Sequence, residues 1–186
     1  LIGQFYLDLY ARDHKQGGAW QDDARTRRAQ RTGLATQVSF LTCNLSRPSG
    51  GKPATFKHDE VLTLFHEFGH GLHHMLTRVD EPSVSGIQGV EWDAIELPSQ
   101  FMENFAWEWE VLQMLTGHVD TAAKLPRALF EKVLTAKNFQ SGMFTVRQVE
   151  FALFDMLLHS GLGWPDEAHL MKLLADVRRE VSVLVP

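Results

Sequence analysis

A chain of 186 residues that is 44% apolar and 22% charged has the make-up of one ordinary globular domain with a real core. Its net charge of -5 supplies no basic field, which argues against nucleic acid as a partner. No apolar run approaches the roughly 18 to 20 residues that span a bilayer, so a membrane is not an expected partner either. Cys43 is the only cysteine, which rules out an intramolecular disulfide framework and suits the reducing cytoplasm, the expected location.

The first residues, Leu1-Ile2-Gly3, show neither an initiator Met nor the basic-then-apolar order of a signal peptide. Leu1 opens directly into strand-like sequence, and the last apolar helical run stops at Pro186. The chain is therefore expected to be an interior piece of a longer protein.

Phe5, Leu7 and Leu9 alternate with Tyr6, Asp8 and Tyr10, a period of two that predicts a strand. Lys15 to Trp20, with Gly17-Gly18, reads as a turn. Residues 21–31 are charge-rich and weakly patterned, which predicts a solvated loop or a short exposed helix. Gln37 to Leu45 is rich in β-formers and is followed by Arg47-Pro48-Ser49-Gly50-Gly51, a second strand and a loop.

Asp59 is placed to cap a helix running from about Glu60 to Thr77, with Val61, Leu64, Phe65, Phe68, Leu72, Met75 and Leu76 at helical spacing. Glu81 to Gly89 reads as a connection. The next helix starts close to Glu96, because Pro98 is tolerated only in a first turn. Phe101, Phe105, Trp109 and Leu112 form its apolar stripe, and Phe101, Phe105, Trp107 and Trp109 are expected in the core. Helical stretches follow over about 125–137, 144–159 and 166–184, the last two separated by Gly161, Gly163 and Pro165. The expected fold is α+β and predominantly α-helical. Residues 1–58 make a small sheet with loops, and residues 59–186 make the helical, metal-binding part.

His66-Glu67-Phe68-Gly69-His70 is an HExxH motif. At about 100° per residue the two histidines lie about 40° apart around a helix and about 6 Å apart along it. Two imidazoles so placed can converge on one ion at roughly 2.0 to 2.1 Å each. Glu67, one residue round, reaches a water beside the ion rather than the ion itself. On a helical wheel the apolar residues fall within about 60° of Val61, and His66 and His70 lie on the other side.

A catalytic zinc needs a third protein ligand and one open position. The candidates are His58, His73, His74, Glu91, Asp93, Glu96 and Glu103. His74 is about 12 Å along the axis from His66, too far to share an ion. Leu76 stands where the metzincin extension ends on a third histidine, and the helix-ending glycine of that pattern is missing. The third ligand therefore comes from another element. Glu96, at the start of the next helix, is preferred, with Glu91 and Asp93 competing on spacing alone.

HEFGHGLHHMLT, followed by EWDAIELPSQFMENFAWE, resembles the thimet oligopeptidase–neurolysin family of zinc peptidases, its bacterial members in particular. The resemblance extends to FYLDLYAR, GGAW, SFLTCNLSRP, GKPATFKHDEV and AKNFQ, which together cover essentially the whole chain. It implies a zincin-like catalytic core with His66, His70 and Glu96 as ligands of one zinc ion per chain. Glu67 is then the general base of a metal-activated water. It further implies an endopeptidase for internal bonds of short peptides, acting in a channel between two helical halves.

In that family a downstream Tyr- and His-rich stretch stabilises the oxyanion. The tyrosines here, Tyr6 and Tyr10, are both upstream. This stretch by itself is accordingly expected to be weakly active or inactive, and a structural module without turnover is the competing expectation.

Glu103 lies seven residues after Glu96 and faces the same side, where it can accept the ring N–H of a ligand histidine. A salt-bridged or exposed carboxylate is its other reading. His73 and His74 are expected as polar-face or packing residues, and Cys43 as a small core residue rather than a nucleophile. The strand around Val38 to Asn44 could lend its edge to an extended peptide if it is an edge strand.

Overall fold

The computed structural model describes residues 1–161 and 166–184. It is mostly helical with a small sheet, an α+β arrangement, and it forms two compact units, Leu1–Pro126 and Arg127–Pro186. Inside the first unit the last strand ends at Leu45 and the first α-helix begins at His58.

Five strands open the first unit: β1 (Gly3–Tyr10), β2 (Trp20–Arg25), β3 (Arg28–Gln30), β4 (Gly33–Ala35) and β5 (Gln37–Leu45). The main sheet has the order β1-β5-β2, with β1 parallel and β2 antiparallel to β5; β3 and β4 pair as a separate hairpin. The solvated loop or exposed helix expected over residues 21–31 is thus replaced by β2 and β3. β3 is exposed throughout and β2 is half-buried at Trp20, Gln21 and Asp23 without strict alternation, so neither shows the period of two, and main-chain pairing with β5 and β4 makes them strands. β5 carries the core of this unit: Leu41 and Cys43 are fully buried, and Leu45 nearly so. As the central strand it has no free edge to offer a peptide.

Helix α1 (His58–Met75) lies against β5 and contains the HExxH segment. Its N-cap is Lys57 rather than Asp59: the Lys57 backbone N–H donates to Glu60 Oε2 at 2.7 Å, the reach-back half of a capping box. At the other end the buried Gln37 side chain donates to the Met75 carbonyl, tying the last turn to β5.

Burial around α1 departs from the wheel. Val61, Leu64, Phe65, Phe68 and Leu72 are only half-buried, and Leu76 is exposed. The most buried positions are Glu67, Gly69, His70, Gly71, His74 and Met75. The neighbours come closest where α1 has no side chain: a Cβ on Gly71 would lie 3.0 Å from Leu41 Cδ2 of β5. The side of the helix that carries Glu67 and His70 is therefore squeezed into the structure rather than turned to solvent.

The single helix expected after Glu96 is broken. It consists of α2 (Leu97–Glu103), a 3-10 turn over Asn104–Trp107, and α3 (Trp109–Leu115), with Glu108 in extended backbone between them. The break splits the aromatic stripe. Leu112 and Ala106 are buried, Trp107 and Trp109 half-buried, and Phe101 and Phe105 are exposed and meet edge to face with centroids 5.9 Å apart, outside the core expected for them.

The second unit holds α4 (Arg127–Lys137), α5 (Ser141–Ser160) and α6 (Glu167–Val181). The Asp166 side chain caps α6 by accepting the His169 N–H at 2.8 Å. Gly163 and Pro165 of the expected break lie outside the described residues. α5 and α6 pack together around Glu150, whose carboxylate accepts from Arg147, Arg178 and Ser182. Among the described residues no helix is long and apolar enough to cross a membrane.

Candidate metal centre

One turn of α1 presents His66 and His70 on the same side, with ring centroids 5.0 Å apart and planes nearly perpendicular. The N-terminus of α2 brings in Glu96, its N-cap residue. Glu96 Oε2 lies 3.1 Å from His66 Nε2 and 3.2 Å from His70 Nε2, and the three atoms fall within 4.8 Å of one another. They are the one group of this kind among the described residues. Glu91 and Asp93, the competing carboxylates, are exposed and outside it.

These donors fit a zinc ion. Ligands of a tetrahedral zinc at 2.0 to 2.1 Å stand about 3.3 Å from each other, close to the two separations between Glu96 Oε2 and the imidazoles. Two imidazole nitrogens and a carboxylate oxygen are also the donor types that zinc accepts.

Neighbouring groups act on each of these three side chains. His66 Nδ1 lies 2.7 Å from Glu103 Oε1, so the ring donates there and leaves the Nε2 lone pair facing Glu96. Burial pushes the His70 imidazole below its ordinary pKa despite the pull of Glu96, which favours the neutral ring. Glu96 is pushed below the usual carboxylate range, first by the hydroxyl of Ser99 and then by His70 and His66.

Glu67 differs from the other acids. It is buried, and its Oε2 has no hydrogen-bond partner among the described residues. Burial raises its pKa, the charge of Glu96 adds to the rise, and His66 and a backbone hydrogen bond from Gln21 of β2 oppose it. A carboxylate poised to take a proton needs this environment.

His74 and His73 lie apart from the centre. His74 is fully buried with Nε2 3.0 Å from the Arg25 carbonyl, and His73 is half-buried with its pKa lowered by burial. Cys43 is buried, and burial raises its thiol pKa, as suits a core residue and not a nucleophile.

Two residues at the centre escaped the sequence reading. Ser99 donates to Glu96 Oε2 at 2.7 Å, and Gly69 sits where α2 crosses α1. A serine three residues after a helix-capping acid was a usable signal for the first. Nothing local marks the second, which depends on the helix crossing.

The sequence profile described as Peptidase family M3 matches residues 1–184. The chain is 55% identical over 186 residues to oligopeptidase A of Salmonella typhimurium, covering 99% of this chain and 27% of that protein. It is 54% identical over 185 residues to oligopeptidase A of Escherichia coli, with the same shares covered. With saccharolysin of Saccharomyces cerevisiae the identity is 36% over 167 residues, 86% of this chain and 22% of that one. The chain thus spans about a quarter of the length of the first two relatives. With the family profile matched from the first residue to the 184th and two relatives above half identity, the chain belongs to peptidase family M3.

Proposed function

We propose that this chain carries the zinc-binding and water-activating core of a cytoplasmic endopeptidase that cleaves internal bonds of short peptides, on a zincin-like scaffold. The observation that carries the reading is the convergence of His66 Nε2, His70 Nε2 and Glu96 Oε2 beside a buried carboxylate, Glu67, with an unsatisfied oxygen. Membership of a peptidase family and the names of the oligopeptidase relatives support peptide substrates. Relatives named as cytosolic and as organellar both exist, so the proposed cytoplasmic location rests on the lone cysteine, Cys43.

In this reading His66, His70 and Glu96 hold one zinc ion. A bound zinc supplies Lewis-acid polarisation of the scissile carbonyl and makes a coordinated water acidic. The chain's own groups do the rest. Glu103 fixes the His66 tautomer so that Nε2 stays an acceptor, and burial favours the neutral His70 ring for the same purpose. Glu67 accepts the proton of the attacking water on its free oxygen and delivers it to the departing amine nitrogen, so base and acid are one group. The fixed fence of α1 and α2 holds these groups without reorganisation, which keeps the proton transfer short.

Zinc content by elemental analysis and turnover of a quenched short peptide test the reading on the same samples. One zinc per chain is expected, and, in the full-length protein, hydrolysis that depends on Glu67. A protein that takes up no zinc, or whose zinc is indifferent to loss of His66, does not have this centre.

A further inference from the structure

We infer that Ser99 is a positioning residue for the metal centre: its hydroxyl holds the Glu96 side chain in the rotamer that aims Oε2 at His66 and His70. The inference rests on the metal-centre reading above. Ser99 Oγ lies 2.7 Å from Glu96 Oε2 and 2.9 Å from the Glu96 carbonyl oxygen. A hydroxyl has one proton to give. The Glu96 carbonyl already accepts the Gln100 N–H at 2.9 Å, and an ionised carboxylate is the stronger acceptor, so the proton goes to Oε2.

The carboxylate needs such a tether. The Glu96 side chain is 47% exposed, and among the described residues its other polar partners are the two imidazoles it would share an ion with. A glutamate has three side-chain torsions and, left alone at a surface, spreads over several rotamers. Ser99 is fixed where Glu96 is not. It is fully buried, follows Pro98 in the first turn of α2, and has its Cα 2.6 Å from where a Cβ on Gly69 would lie. Position is therefore passed from the backbone of α1 to the backbone of α2, then through one hydroxyl to the ligand oxygen.

Zinc affinity measured by competition with a chelator tests this on the 186-residue chain. Ser99→Ala, which only removes an oxygen from a packed site, should keep the fold by circular dichroism and weaken zinc binding about 10- to 100-fold. Ser99→Thr keeps the hydroxyl and should recover most of the loss. A double-mutant cycle separates positioning from general packing. In the Glu96→Ala background, read at the higher zinc concentrations that two histidines require, adding Ser99→Ala should change affinity less than about 2-fold. Unchanged affinity in Ser99→Ala overturns the inference, as does a Thr variant as weak as Ala or an equal loss with Glu96 absent. If the unmutated chain binds no zinc, the metal-centre reading fails and takes this inference with it. Tight wild-type binding with an unaffected Ser99→Ala removes this inference alone.

Discussion

Gly69 of α1 and Pro98 of α2 are so close that a methyl group on Gly69 would lie 2.6 Å from the Pro98 carbonyl oxygen. The atoms in the way are backbone, including Ser99 Cα at the same distance, and backbone cannot rotate aside as the end of a side chain can. The glycine inside the HExxH motif thus sets how near α2 comes to α1, and so where Glu96 stands.

Gly69→Ala should for that reason weaken both fold and metal site. Alanine favours a helix over glycine by about 1 kcal/mol, whereas forcing a methyl into a packed contact costs roughly 1 to 3 kcal/mol. Net destabilisation is expected, visible as a lower midpoint in thermal unfolding. Zinc affinity should fall further than stability does, because the displaced helix carries Glu96, the proposed third ligand. An alanine variant with unchanged zinc affinity would show that the crossing does not position Glu96.

Substitutions at the centre should sort by role. His66→Ala and Glu96→Ala remove donors and should lose tightly bound zinc. Glu67→Gln keeps the shape of the side chain but cannot take a proton, so zinc should stay and hydrolysis should go. Elemental analysis of each variant, and a quenched-peptide assay of the same substitutions in the full-length protein, check the division. Zinc lost from Glu67→Gln but retained at full occupancy in Glu96→Ala would reverse the assigned roles.

Glu103 is placed to act through His66. Glu103→Ala should leave the Nδ1 proton without its carboxylate and cost about 10- to 100-fold in zinc affinity, the usual effect of removing such a partner. Glu103→Gln retains an acceptor without charge and should lose less. Chelator competition measures both. Equal affinities in all three proteins would return Glu103 to the status of an exposed carboxylate.

What the sequence could reveal divides along physical lines. His66, Glu67 and His70 are readable because helix period alone puts them on one side of α1. Glu96 needed a second element, and spacing left Glu91 and Asp93 beside it until the fold brought Oε2 to the imidazoles. Phe101 and Phe105 show the limit of periodicity, which names a face of a helix but not what covers it. Here Glu108 breaks the helix and both rings are exposed. β2 was invisible because its pairing is made by main-chain groups and its residues, WQDDAR, carry no alternation of apolar and polar side chains. Gly69 and Ser99 were out of reach because their importance exists only at a crossing between elements about 30 residues apart in sequence.

The second unit offers a prediction independent of the centre. Glu150 of α5 has a side chain only 5% exposed, and it accepts hydrogen bonds from Ser182 at 2.7 Å and Arg178 at 3.1 Å, with Arg147 2.8 Å away. Ser182 first, then the two guanidiniums, hold its pKa down to about 2, against 4.5 for an ordinary glutamate. A carboxylate depressed in the folded state binds fewer protons than in the unfolded chain, so its stabilising effect is complete above the unfolded value. That effect is lost as pH falls from about 4.5 towards 2. The packing of α5 on α6 should accordingly loosen over that window, seen as faster amide exchange in residues 141–160 and 167–181. Glu150→Gln should be less stable than the parent near neutral pH, and the gap between the two should close as pH falls, because protonated Glu150 and glutamine are both uncharged. Taking the difference between the two proteins removes the contribution of other depressed acids such as Asp8 and Asp176. A gap that stays constant from pH 6 to about pH 2 would mean that the charge of Glu150 is not what joins the two helices.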